Sequence, residues 1–274
     1  MKHRLILFLL FLILIVVILI VARFIGANMM HGKITEAVQS NDMIRLEKLC
    51  KNPISSVNFP YAIVDFWSAI TDSTPLDYPL ETAIQNDNVD AVKILLEHGA
   101  KPNKKHKFSG NKTGCLEMAI AFGNTEIVQT LLEHGAKTDF APRALGIYVQ
   151  NIYNGVDTKE GFSKMYQLLV ENDILEENEK EKGELFLTVA RYNHLEIAEY
   201  LMDCQNYSVQ YHNSDGQTAL HICCKSAYGR GKYEFAEYLL AKGIDPKETD
   251  TFGKTAYDYA VENGYTELAE LLKP

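Results

Sequence analysis

The chain has no C-x-x-C pair, no G-x-S-x-G, no H-E-x-x-H, no G-x-x-x-x-G-K-[ST] and no G-x-G-x-x-G. These absences remove the common structural zinc site, the serine-hydrolase elbow, the zinc-peptidase helix and two familiar nucleotide loops. Cysteine is sparse and odd in number: Cys50, Cys115, Cys204, Cys223 and Cys224. In an oxidising compartment at least one stays unpaired. Each falls where a small apolar side chain suits a core, as free cysteine does; a pairing of Cys204 with Cys223 or Cys224 stays open. Positive charge is also short, with 27 Lys and Arg against 36 Asp and Glu. Setting aside the first 23 residues, which hold Lys2, Arg4 and Arg23, leaves 24 basic against 36 acidic side chains, a net charge near −12. That balance lacks the basic footprint nucleic acid requires. It serves solubility, or a basic partner. With no catalytic constellation, no metal set and no cofactor motif, the chain reads as a non-enzyme.

One hydrophobic run is long. Leu5 to Ala22 are 18 consecutive apolar residues without charge, proline or glycine, or about 27 Å of helix, close to a bilayer core. A cleaved signal has a shorter apolar region and a small-x-small site; here the one site, after Ala27, has bulky Ile25 three back. The reading is a single transmembrane signal anchor over 1–26, contacting the lipid bilayer through Leu5 to Ala22. Lys2 and Arg4 before the span lean the amino terminus toward the cytoplasm. The rest would then be exported, facing the periplasm if the source is bacterial. A soluble cleaved form and a cytoplasmic repeat region are the alternatives.

The remainder repeats itself. Leu95-Leu96-Glu97-His98-Gly99-Ala100-Lys101 recurs letter for letter as Leu131-Leu132-Glu133-His134-Gly135-Ala136-Lys137, 36 residues later. Val92, Leu95 and Leu96 share one helical face, and Gly99 supplies the left-handed stop. Upstream, Leu80, Ala83 and Ile84 form a second stripe, and Asn86-Asp87-Asn88 separates the two helices. A helix–turn–helix of this size cannot bury its own apolar face, so neighbours must stack. Equivalent helix ends at Gly99, Gly135, Asn172, Gln205 and Gly243 are spaced 36, 37, 33 and 38 residues. Helices keep register while loops absorb insertions. Asn41-Asp42 supplies the turn and cap of the first repeat, and Leu175–Lys182 reads as a charged surface loop.

A later copy is more specific. Asp215-Gly216-Gln217-Thr218-Ala219-Leu220-His221 opens a repeat closing at Leu239–Pro246, and Phe252-Gly253-Lys254-Thr255-Ala256-Tyr257-Asp258 opens another. Thr218-Ala219-Leu220-His221 resembles the ankyrin T-P-L-H-x-A pattern, with Ala219 in place of proline. The resemblance runs from about Lys33 to the end, over 33–58, 76–108, 112–142, 143–180, 183–212, 215–249 and 252–274. It implies an all-α ankyrin-repeat solenoid of about six to seven repeats, and it implies that His221 makes structural hydrogen bonds between repeats rather than acting as a metal or acid–base group.

The resemblance also implies protein binding, on a concave surface of loop tips and first helices. The candidate contact residues are Lys104, His106, Lys107 and Phe108 on a lysine-rich hairpin tip, Tyr211, His212 and Asn213, and Thr251 and Phe252. The aromatics Phe59, Tyr61, Phe66 and Trp67, between Pro53 and Tyr78, cover a neighbouring repeat or form a binding finger. Two specific roles suit an exported, anchored binding scaffold: an immunity protein neutralising a delivered toxin, and an assembly factor tethering an envelope enzyme. Neither partner nor oligomeric state is legible.

Overall fold

Apolar stripes and their caps set where helices begin and end. The computed structural model describes residues 2–52, 79–103, 106–108, 111–138, 140–153, 159–175, 178–228 and 232–273. Phe59, Tyr61, Phe66, Trp67 and Lys104 lie outside the described residues. The first element, α1 (Lys2–Gln39), is one unbroken helix. The expected anchor and the expected start of the repeats are therefore joined inside a single element. Arg23 to Lys33 contains no proline, and Gly26 and Gly32 cost only about 1 kcal/mol each in a helix. Of the run Leu5–Ala22, the side chains at 11–19 and 22 are described. Among the described residues no helix is long and apolar enough to cross a membrane.

α1 stops at Asn41, which takes a left-handed φ of 55°. Asp42 then caps α2 (Met43–Cys50) by accepting from the Arg45 amide at 2.9 Å. α3 (Pro79–Gln85) and α4 (Val89–Glu97) use the same device, with Asp87 at φ 55° and Asn88 Oδ1 accepting from the Ala91 amide at 2.9 Å. Asn and Asp tolerate this conformation better than other side chains. The Asn88 amide donates to Asn41 Oδ1 at 2.7 Å, which joins the two turns.

The all-helical expectation needs one amendment. β1 (His106–Phe108) and β2 (Asn111–Thr113) form an antiparallel hairpin, with His106 opposite Thr113 and Phe108 opposite Asn111. Helices follow again: α5 (Cys115–Phe122), α6 (Thr125–Glu133), α7 (Ala141–Tyr153), α8 (Lys159–Glu171), α9 (Glu179–Tyr192), α10 (Leu195–Gln205), α11 (Ala219–Lys225), α12 (Lys232–Ala241), α13 (Ala256–Glu262) and α14 (Thr266–Leu271). The expected charged loop at 175–182 is shorter than read. Asn178 caps α9, and Glu179 to Lys182 form its first turn, where Glu179 and Glu181 complement the helix dipole.

Contacts divide the chain into two compact units, residues 1–115 with 130–136, and residues 116–129 with 137–274. In the first, α1 packs on α3 and α2 on α4, burying Ile34, Leu46, Ala83 and Leu95. In the second, α7, α9, α11 and α13 pack successively as an inner row, and α8, α10, α12 and α14 as an outer row. Tyr148, Phe162, Phe186 and Phe235 are fully buried there. The Tyr148 and Phe162 rings stack at 6.1 Å between centroids, and Tyr166 meets Tyr200 edge-on at 5.9 Å.

Inner helices end on carbonyls with no partner in their own helix. The next repeat satisfies them. Asn151 donates to the Ala121 carbonyl at 2.7 Å, His194 Nε2 to Val149 at 3.1 Å, Ser226 Oγ to Arg191 at 2.6 Å and Asn263 to Cys224 at 3.2 Å. None of the five cysteines is in a disulfide. Cys115, Cys223 and Cys224 are buried as expected, but Cys204 is exposed. The last turn of α10 runs past the core before Asn206, at φ 55°, ends it. That placement corrects the core role expected of Cys204 and removes its pairing with the buried Cys223 or Cys224.

Candidate functional site

The second unit carries two long loops whose tips stand at the start of the inner helices, one from 206 to 218 and one from 242 to 255. Each tip is built by one short polar side chain. Asn213 Oδ1 accepts from the amides of Asp215 at 3.0 Å and Gln217 at 2.9 Å. Asp250 Oδ1 accepts from those of Phe252 at 2.9 Å and Lys254 at 3.1 Å. The two positions lie 37 residues apart in the sequence. Gly216 and Gly253, at φ 70° and 73°, complete the tips in a conformation that suits glycine.

Neighbouring loops are fastened together. The Thr251 amide donates to the Asp215 carbonyl at 2.9 Å. Gln217 donates to Asp250 Oδ2 at 3.1 Å, and the Tyr259 hydroxyl donates to the same oxygen at 2.6 Å. Asp250 is buried, which alone would raise its pKa. The bonds from Tyr259, Gln217 and the two amides outweigh that and hold the carboxyl down at about 2. Burial, and then its bond to Asp250, push Tyr259 up to about 12.

His221 performs the joining role expected of it. Its Nδ1 accepts from Thr218 Oγ1 at 2.8 Å, and its Nε2 donates to the Lys254 carbonyl in the next loop at 3.1 Å. Burial lowers its pKa, which favours the neutral ring in which Nδ1 accepts. Asp258 replaces the histidine in the following repeat. Its carboxylate accepts from the Thr255 amide and hydroxyl, both at 2.8 Å. The cap survives, but a carboxylate has no proton to pass onward.

The expected contact residues of the second unit differ in how they are held. Tyr211 lies against Gly183 so closely that a Cβ there would sit 2.1 Å from the ring, and its hydroxyl donates to Glu184 at 2.9 Å. Burial and that carboxylate push Tyr211 up to about 12. His212 pairs with Glu248 through Nε2. Asn213 holds its own loop. Thr251 is exposed and gives its amide to the neighbouring loop. Phe252 has 66% of its surface exposed, the largest exposure of an aromatic side chain on these two loops. In the first unit, His106, Lys107 and Phe108 are placed on β1 by the backbone.

Sequence reasoning passed over Asp250, Gln217 and Tyr259, although the spacing of Asn213 and Asp250 carried the signal. It also missed Phe140 and Ile147, exposed at 49% and 44% before and along α7. Among the described residues no three His, Cys, Asp or Glu side chains converge as a metal would need.

The sequence profile of the family described as ankyrin repeats (3 copies) matches residues 55–141, 158–250 and 186–274, most of the chain. The chain belongs to the ankyrin-repeat family. The ankyrin domain of human ASB11 shares its fold, with a TM-score of 0.63 at 21% identity over 88% of this chain and 97% of that one. The ankyrin repeat domain of Bcl-3 gives 0.57 at 16% identity over 88% and 98%. In sequence, the ARF GTPase-activating protein GIT2 of Mus musculus is 42% identical over 62 residues, 23% of this chain and 8% of that protein. Alpha-latrotoxin-Lg1a of Latrodectus geometricus is 31% identical over 116 residues, 40% of this chain and 8% of that one. The chain thus spans less than a tenth of these relatives, and what it shares with them is ankyrin repeats.

Proposed function

We infer that this ankyrin protein is a non-catalytic scaffold that binds another protein on its loop tips and inner helices, and that α1 anchors it in a lipid bilayer. One observation carries the binding role: exposed apolar side chains, Phe252 above all, stand on loops whose polar groups are bonded to one another. An aromatic anchor on a frame that needs little ordering is the economical way to build a binding hot spot. The second unit has 25 acidic against 14 basic side chains and the first 11 against 13. The second unit therefore steers toward a basic partner surface.

The anchor reading rests on the unbroken apolar run Leu5–Ala22 and on Phe11 to Leu19, exposed around every side of α1. An apolar surface of that kind is costly in water and favourable in lipid. Lys2 and Arg4 support a cytoplasmic amino terminus with the repeats exported, facing the periplasm in a bacterium. An immunity protein and a tether for an envelope enzyme both suit this arrangement; deletion separates them, by toxin sensitivity in the one case and loss of the enzyme's activity in the other.

The binding role is tested by placing a photo-crosslinking amino acid at Phe252 in cells. A discrete adduct, lost when Ile147→Asp is added, is expected. Adducts formed from Glu237 on the outer row, and none from Phe252, would overturn it. A reporter fused after Pro274, active only outside the cytoplasm, tests the orientation.

A further inference from the structure

The apolar run and the first repeat share one helix, and we propose that α1 is a rigid strut holding that repeat at a fixed height and rotation above the lipid bilayer. The proposal rests on the anchor reading given above. Among the described side chains of α1, burial has one character near the start and another near the end. Phe11 to Leu19 are exposed on all sides. From His31 onward burial is one-sided: His31, Ile34, Thr35 and Val38 are buried, while Lys33, Glu36 and Gln39 are exposed. These buried positions follow the i, i+3, i+4, i+7 spacing of a helix packed on one face, and they meet α2 and α3. Between the two regimes the helix does not break.

The geometry follows from helix dimensions. Ala22 to His31 is nine residues, about 14 Å of helix. The interfacial layer takes about 5–8 Å of this on one side of the bilayer. Packing of the first repeat therefore begins roughly one or two helical turns beyond the headgroups. A flexible tether of nine residues has a similar reach, about 15–18 Å, but points in any direction. A helix instead fixes the phase, at about 100° per residue, so each side of the first repeat keeps one orientation to the lipid surface. Such a strut confines the repeat to a thin layer, which raises its effective concentration for a partner held in the same membrane.

Hydrogen exchange on the full chain in nanodiscs of phosphatidylethanolamine and phosphatidylglycerol tests the strut. Amides of Arg23 to Met30 are expected to exchange about 100-fold or more slowly than an unstructured chain. In Met29→Pro, at an exposed position, that protection should fall while α3 and α4 keep theirs. Exchange at Arg23 to Met30 within about tenfold of an unstructured chain, with Leu5 to Ala22 still protected, would show a flexible tether and overturn the strut. A chain that leaves the lipid, with Leu5 to Ala22 unprotected, would overturn the anchor reading and the strut together.

Discussion

The Tyr259 hydroxyl lies 2.6 Å from Asp250 Oδ2 and donates to it, nine residues away and across the turn into the next inner helix. Gln217 reaches the same carboxylate from the preceding repeat at 3.1 Å. One buried charge thus joins two loops and a helix, and its bonds compensate the cost of burying it.

Removing parts of this joint should separate a lost bond from an orphaned network. Tyr259→Phe deletes the charge-assisted bond to Asp250 and the bond that Gln217 donates to the hydroxyl at 3.2 Å, and is expected to cost about 2 kcal/mol. Asp250→Ala leaves Gln217, Tyr259 and two amides without their acceptor and should cost about 3 kcal/mol. Urea unfolding of the full chain in detergent measures both. Equal, negligible costs would show that the joint contributes nothing.

Acid should weaken the fold in two separate windows. The folded pKa of Asp250 is depressed to about 2 from 3.8, so its contribution is present above pH 4 and lost as pH falls toward 2. Burial also depresses His221 and His194. The unfolded state then binds protons first, and their contribution is full above about pH 6.5 and declines below it. Melting curves should therefore begin to drop as pH falls below about 7, and drop again below pH 4. Asp250→Asn should flatten the lower step alone, and His221→Gln should reduce the upper.

Gly123→Ala should be among the more damaging single-methyl changes. Gly123 has φ 83°, and an added Cβ would stand 2.3 Å from the fully buried Tyr148 ring. Backbone strain and overpacking together predict a loss of about 3 kcal/mol. Gly135, at φ 76° with open space around the added atom, should lose only about 1 kcal/mol as alanine. The difference between the two melting temperatures is the measurement.

Cysteine labelling should read the second unit directly. Cys204 is exposed and should react with iodoacetamide in the folded chain. Cys223 and Cys224 are buried, and the neighbouring Cys223 thiol together with burial raises the Cys224 pKa; both should react only on unfolding. Mass spectrometry of the tryptic peptides distinguishes the sites. Prompt labelling of Cys223 would contradict the packing of α11.

The ankyrin repeat was open to reading because its marks are local. A tight turn after a helix that buries an apolar stripe suits a left-handed residue, so Asn41, Asp87, Gly99, Gly135 and Gly243 punctuate the chain at the ends of several helices. The Thr218 and His221 cap lies within three residues, and its repeat at Thr255 and Asp258 can be aligned by eye. The contact residues were harder to read. Tyr211 and Phe252 are both loop aromatics, yet one rests on Gly183 and the other is exposed. The glycine that makes room for Tyr211 lies 28 residues earlier in the chain.

The sequence by itself determined the period, the helix pairs, their caps, the apolar run at Leu5–Ala22 and the acidic balance. Each depends on side chains within a turn or two, or on composition. Only the tertiary structure decided that Asp250 is a buried joint, that Tyr211 rests on Gly183 and His212 pairs with Glu248, that Cys204 faces outward, and that α1 continues unbroken into the first repeat. Burial and hydrogen bonding there depend on partners about 30 residues away, and local spacing does not encode which of two similar side chains a neighbouring repeat will cover. Helix continuity through Arg23–Lys33 depends likewise on Ile34, Ala37 and Val38 finding α2 and α3 to pack against.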